Sequence, residues 1–275
     1  MATGNNKIVK NINDCQLIFY LDNNIFSYSI FNKNTRCFEK LKSYQIENTV
    51  SDLSETIKKI IDTNNELQND WPIKLGCVNV THSTLIPKVL FDKKSVGQYI
   101  NLSAPENKQE VIKYNEQVFL DCYSVYTINE NLLFLLKEKF NNLKIKSSAS
   151  LLLDYALYLS QKSLNYLLLE VSKNYFHIIY IQNKSLEFYN KFIFNNPNDF
   201  LYYFMNCVRE LKIDTKFIKA HVISDLDLQN KLFIALKKYI GISFINRPSV
   251  FSYRDKISES PNHKNHNLFG QIICE

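Results

Sequence analysis

Two stretches of this chain, 150 residues apart, carry the same pattern, and that repeat constrains the fold more than any other feature. Leu17 to Phe31 reads LIFYLDNNIFSYSIF, two apolar runs joined at Asp22-Asn23-Asn24. Leu167 to Ile181 reads LLLEVSKNYFHIIYI, joined at Ser172-Lys173-Asn174. Without a gap, Leu17 registers with Leu167, Asn24 with Asn174 and Phe26 with Phe176. Alternation and turn residues make each a strand–turn–strand hairpin. A turn, a third strand, a helix and another strand follow in both places. Two copies predict an α/β protein of two pseudo-symmetric halves, each a mixed five-stranded sheet with helices on its faces.

The remaining elements follow from periodicity and breakers. After Asn32-Lys33-Asn34 a third run passes through CFEKLKSYQI. SDLSETIKKIIDTNNEL predicts a helix capped by Ser51 or Asp52, with Leu53, Ile57, Ile60 and Ile61 on one face. LGCVNVTH, residues 75–82, is its partner strand. THSTLIPKVLFDKKSVGQYINLS reads as a loop interrupted by Pro87, then a short helix near 93–101. Strands are expected in EVIKYNEQ and VFLDCYSVYTI, then helices at Asn131–Asn142 and SASLLLDYALYLSQKS. The second half adds SLEFYNKFIF, a helix opened by Pro197, the strand FIKAHVIS, a helix through Ile240 and the strand GISFIN. SYRDKISESPNHKNHN reads as a surface loop and LFGQIICE as an apolar return to the core. The plan is a flexible end at 1–14, a first half at 15–163 with a segment inserted at about 83–127, and a second half at 164–275.

Composition narrows the function. Of 275 residues, 45% are hydrophobic and 22% charged, which suits a folded chain. The net charge of +6 comes from 29 Lys and four Arg scattered among acids, not the clustered basic face that nucleic acid needs. No run approaches the ~18 apolar residues of a membrane span, and the polar opening MATGNNKIVKNIND does not read as a secretory leader. Six cysteines, none spaced as Cys-x-x-Cys, fit reduced thiols in a cytoplasmic protein. Five glycines leave few for close backbone approach to phosphate.

Two halves that each open on a hairpin resemble the actin-like ATPase superfamily, which includes actin, Hsp70, sugar kinases, FtsA and PilM, and whose halves are ribonuclease H-like. Within it, HSTLIPKVLFDKKSVGQYINL, HVISDLDLQNKLFIALKKYI and the ending HNLFGQIICE resemble an uncharacterised bacterial family of unknown function. The resemblance implies a nucleotide site at the hairpins. Active members carry Asp-x-Gly and then a small hydroxyl residue, the acid ordering metal and water and the glycine admitting phosphate to the backbone N–H groups. Asp22 matches the acid, Asn23 lies between, Asn24 stands at the glycine and Ile25 replaces the hydroxyl residue. An asparagine tolerates positive φ, so the turn is expected to survive while its side chain fills the phosphate's space. In the second hairpin Ser172 replaces the acid and Asn174 the glycine. The glycine pair that lies against adenosine falls at Ser224-Asp225-Leu226-Asp227, where two carboxylates would repel polyphosphate and are read instead as helix caps.

Three departures together argue against ATP hydrolysis. The expectation is a non-catalytic, PilM-like binding or scaffold protein without cofactor or metal, whose cleft or sheet edge engages another protein or a peptide. The alternative is a divergent ATP-binding switch that keeps Asp22 and Mg²⁺. A nuclease would need further carboxylates beside Asp22 and Glu55, and LGCVNVTH supplies none. His263 and His266, with Cys274 and Glu275, read as an exposed tail and not a zinc site. His82, beside Ser83 and Thr84, lacks a nucleophile's context, and His177 reads as a packed strand residue.

Overall fold

The computed structural model describes residues 12–46, 53–101, 107–117 and 119–275. The first eleven residues of the expected flexible end, and the expected caps Ser51 and Asp52, lie outside them.

The chain divides into two compact units. The first holds β1 (Cys15–Leu21), β2 (Ile25–Asn32), β3 (Cys37–Gln45), α1 (Leu53–Asp62), α2 (Asn65–Gln68) and β4 (Ile73–Val78). It continues with β5 (Ser83–Pro87), α3 (Val96–Asn101), β6 (Glu110–Glu116), β7 (Cys122–Asn129), α4 (Glu130–Lys139) and β8 (Leu143–Ser147). Helix α5 (Ser148–Ser160) carries the chain into the second unit, from Leu151 onward. There follow β9 (Asn165–Val171), β10 (Tyr175–Gln182), β11 (Ser185–Ile193), α6 (Pro197–Glu210), β12 (Ala220–Ile223), α7 (Lys231–Leu236) and β13 (Ile242–Phe244). The segment Ser249–Glu259, with β14 (Ser252–Tyr253) and α8 (Asp255–Ser258), belongs to the first unit, and α9 (His266–Ile273) to the second. The sequence alone places one boundary near residue 163 and the whole tail in the second half, whereas the units meet at Ser150 and Leu151 in the chain and Ser249–Glu259 returns to the first.

The five-stranded sheet of the second unit has the order β11-β10-β9-β12-β13. The first unit repeats that order as β3-β2-β1-β4-β8 and adds β14 outside β3, six strands where five were expected; a separate sheet, β5-β7-β6, fills the inserted segment. In both large sheets the first strand is antiparallel to the second and parallel to the fourth. The central strands β1 and β9 are buried along almost their whole length, so they are continuous apolar runs with little alternation. The 150-residue offset holds to the residue. β1 and β2 match β9 and β10 at both ends, and Lys33 N to Asp14 O (2.9 Å) is repeated by Asn183 N to Leu164 O (2.7 Å).

Each unit packs its own core on one sheet face. In the first, Phe19 lies against Phe26 and Phe140 at ring-centroid distances of 5.7 and 5.3 Å. Gly76 is its direct partner on β4, and a Cβ there would stand 2.4 Å from the Phe19 ring, so a glycine makes room for the aromatic. In the second, Phe176, Phe200, Phe204 and Phe233 fill the corresponding space. Asn115 fastens the inserted sheet to β8 as a backbone would, donating to Ile145 O at 3.0 Å and accepting from Ser147 N at 3.1 Å.

Three expectations are corrected. β5 was expected to be loop; Pro87 is its last residue, on an edge strand where a missing N–H costs nothing. β8 (LKIKS) was not foreseen. The tail is also not a surface loop: Ile257, His263 and His266 are buried.

Candidate functional site

The first hairpin turns at the carboxyl end of β1, beside the carboxyl end of the parallel β4, where α/β sheets present their ligand sites. Asp22 is the buried pivot, 5% exposed. Its Oδ1 accepts from the backbone N–H of Asn24 at 2.7 Å and of Ile25 at 2.8 Å. Tyr20 Oη donates to Oδ2 at 3.4 Å. Asp22 N donates to Ile25 O at 3.0 Å, and Ile46 N closes on Asn24 O at 2.8 Å. The turn is therefore an aspartate loop wound on its own carboxylate. The N–H groups that a phosphate would need have an anion already, and it is covalently attached.

The asparagines do something other than expected. Neither Asn24 nor Asn174 is among the described residues with positive φ. Asparagine was read as a stand-in for left-handed glycine, but these turns require no left-handed residue. The first is held by Asp22, and the second by Ser172 N on Tyr175 O (2.9 Å) and Phe194 N on Asn174 O (2.9 Å). The last contact is the counterpart of Ile46 on Asn24. Asn23, Lys173 and Asn174 are exposed.

Beside the first hairpin lies a cavity of about 130 Å³, lined by Asp22, Asn23, Asn79, Glu110 and Thr127 among others. Sites for drug-sized ligands run from roughly 300 to 1,000 Å³; this one has room for a few waters. Asn79 follows β4 and ties the site together, with its N–H on Leu21 O at 2.8 Å and its Oδ1 accepting from Ser148 Oγ at 3.1 Å. Glu55 is exposed on α1. Among the described residues no three His, Cys, Asp or Glu side chains gather where they could hold a metal ion.

The third predicted region is also occupied by the fold. Ser224 is buried, donates to Val171 O at 2.6 Å and accepts from Leu226 N at 3.1 Å. It follows β12 as Asn79 follows β4, and both reach the last carbonyl of their unit's first strand. Asp225 Oδ1 accepts from Asn265 N at 2.7 Å, and Asp227 Oδ1 from Gln229 N at 2.8 Å. The cap of α7 is Asn230, on Leu232 N at 3.0 Å, so the two aspartates brace turns where helix capping was expected.

Comparison with known proteins decides the family. Residues 4–242 match the family described as "Protein of unknown function (DUF3822)". The chain belongs to the DUF3822 family. No curated protein matches it. A structure from Bacteroides thetaiotaomicron VPI-5482, described as a protein with actin-like ATPase fold and unknown function, is similar at 19% identity and TM-score 0.77, covering 95% of this chain and 96% of that one. A chain of the PilM–PilN type IV pilus biogenesis complex is similar at 9% identity and TM-score 0.57, covering 94% and 98%. These likenesses give the DUF3822 chain the actin-like ATPase fold.

Two histidines of this DUF3822 member, His263 and His266, are buried and bonded to backbone carbonyls. His263 Nε2 meets Leu226 O at 3.1 Å, and His266 Nε2 meets Ile245 O at 2.9 Å. A carbonyl only accepts, so His266 carries its proton on Nε2, and Nδ1 accepts from Tyr155 Oη at 3.1 Å. Burial above all pushes its pKa down to about 4, though the Ile245 carbonyl acts the other way. Ser83 and Thr84 are ladder residues of β5. His177 is packed on β10 as read, 1% exposed; sequence reasoning missed its surroundings, for it stands opposite Glu170 on β9 with Nδ1 3.0 Å from Tyr189 Oη. The visible signal was an acid and a histidine in otherwise apolar runs that pair in register.

Proposed function

We propose that this DUF3822 protein is a non-catalytic, actin-like-fold binding or scaffold protein, built from two ribonuclease H-like halves, that acts in the cytoplasm by engaging another protein. The observation that carries the reading is the Asp22 carboxylate on the Asn24 and Ile25 amides. A phosphate approaching that turn would have to displace a buried, hydrogen-bonded anion or sit against it, and like charges at contact distance repel strongly in a desolvated site. The second hairpin brings no acid to a metal, since Ser172 stands at that position. The small cavity and the braced Ser224–Asp227 segment support the same conclusion. Six free cysteines, five of them buried, agree with a reducing compartment. Support for a protein partner is by analogy of fold, since the PilM neighbour is found in a complex with PilN.

Isothermal titration with Mg-ATP tests the reading. The expected result is no saturable heat up to millimolar nucleotide. Saturable binding that disappears in Asp22→Ala would establish the competing reading, a nucleotide switch that uses Asp22 and Mg²⁺.

A further inference from the structure

We infer that the open edge of β11, at Ser185–Glu187, docks a short extended segment of another protein in which an aromatic residue is followed three positions later by arginine. The internal duplication extends to this edge. β11 is to the second unit what β3 is to the first, at an offset of 148 residues, and the correspondence reaches unusual details. The residue immediately before each strand is left-handed, Arg36 (φ 50°) and Lys184 (φ 66°). Each strand bulges at one place, opposite Ile30/Phe31 and Tyr180/Ile181, and in each the residue skipped by the ladder is a glutamate, Glu39 and Glu187.

In the first unit this edge is covered. β14 pairs in parallel with β3, with Ser252 N on Arg36 O at 3.0 Å and Arg254 N on Phe38 O at 3.1 Å. Arg254 Nε donates to the bulged Glu39 at 2.6 Å. Phe251 stands edge-on to Phe31 and Phe38, each at 5.3 Å. The covering segment thus reads the edge through three features: carbonyls, a glutamate and an apolar shelf. In the second unit all three are present. Lys184 and Leu186 stand at the carbonyl positions, Glu187 is exposed, and half-buried Leu186 with buried Ile181 forms the shelf. No strand among the described residues pairs outside β11.

An open nine-residue edge is a template for strand addition, and it is a liability unless something covers it. Glu187 selects a basic occupant; the pattern Phe251-Ser252-Tyr253-Arg254 supplies its spacing. The inference rests on the binding-protein reading, but it is measured at β11, whereas nucleotide would be measured at Asn24 and Ile25. Either can therefore fail alone.

The test uses the full chain and a labelled peptide with the sequence of residues 249–257 as surrogate occupant. Binding is followed by fluorescence anisotropy and by amide shifts at Ser185–Glu187. Binding with shifts there is expected; Glu187→Lys, at an exposed site, should weaken it about tenfold, or ~1.4 kcal/mol. A peptide carrying Arg254→Glu should recover affinity for that variant. Absence of binding at millimolar peptide overturns the inference. So does loss of binding in Glu39→Lys with Glu187→Lys unaffected, since the peptide would then have replaced β14. A concentration-dependent dimer abolished by Glu187→Lys would place a second copy at the edge and overturn the proposed partner.

Discussion

At the scale of single residues, Asp22 gathers the chemistry of the first hairpin into one side chain. A carboxylate that accepts two amides at 2.7 and 2.8 Å contributes to folding in a way that a phosphate-facing acid would not. Asp22→Ala leaves two N–H groups without their acceptor and is expected to lower unfolding free energy by about 1–3 kcal/mol in urea titration. Asp22→Asn, which keeps one acceptor oxygen, should lose less. Equal stability of all three proteins would show that the loop is held by something else. The position of Asp22 was legible in the sequence; its role was not, because the direction of a carboxylate at the end of a strand is set by the turn it closes. The asparagines show the same gap. Residue type suggested positive φ, and the turns are closed by hydrogen bonds that need none.

At the scale of elements, strands that carry their own signal were read correctly. β1, β2, β9 and β10 are long apolar runs between turn residues, and each is buried along nearly its whole length. β8 and β14 carry almost none. LKIKS alternates over five residues between two helices, and β14 is two residues in a polar tail. Such strands exist because a neighbour's edge is available, which is tertiary information. Another element-level contact escaped notice: Glu66 on α2 ties the helix to β2 and β3. Tyr28 Oη donates to it at 2.6 Å and Lys42 Nζ at 2.9 Å, and Lys40 forms a second ion pair. Burial raises its carboxyl pKa, but the Lys40, Tyr28 and Lys42 hydrogen bonds more than offset this and hold it at about 2. The folded value lies below the ordinary one, so this stabilisation is complete above about pH 4.5 and lost as pH falls through about 2. Glu66→Gln is expected to cost about 1–2 kcal/mol at neutral pH, with the difference from the parent shrinking below pH 4.5 in urea melts. A difference that is constant with pH would contradict the network.

At the scale of the whole molecule, the duplication explains both the fold and its asymmetries. One strand order occurs twice, the hairpin contacts recur at 150 residues, and the units differ where one has acquired an inserted sheet and a covering strand. Three buried or half-buried histidines add a common acid sensitivity. Burial lowers the pKa of His177, His221 and His266, helped by Lys191 at the first and Lys219 at the second. A neutral-in-the-fold histidine gives its full stabilisation above the unfolded value near 6.5 and loses it as pH falls toward the folded one, about 4 for His266. Stability should therefore decline between pH 6.5 and 4, by about 3 kcal/mol for His266 alone. His266→Gln should flatten that decline; a pH profile identical to the parent's would contradict the assignment.

The central claim is that the first hairpin has satisfied its own amides and offers none to phosphate. Backbone amide resonances of Asn24 and Ile25, followed while Mg-ATP is raised to millimolar concentration, test it most directly. The account expects both to stay in place. Saturable movement of both, at one common dissociation constant, would contradict it.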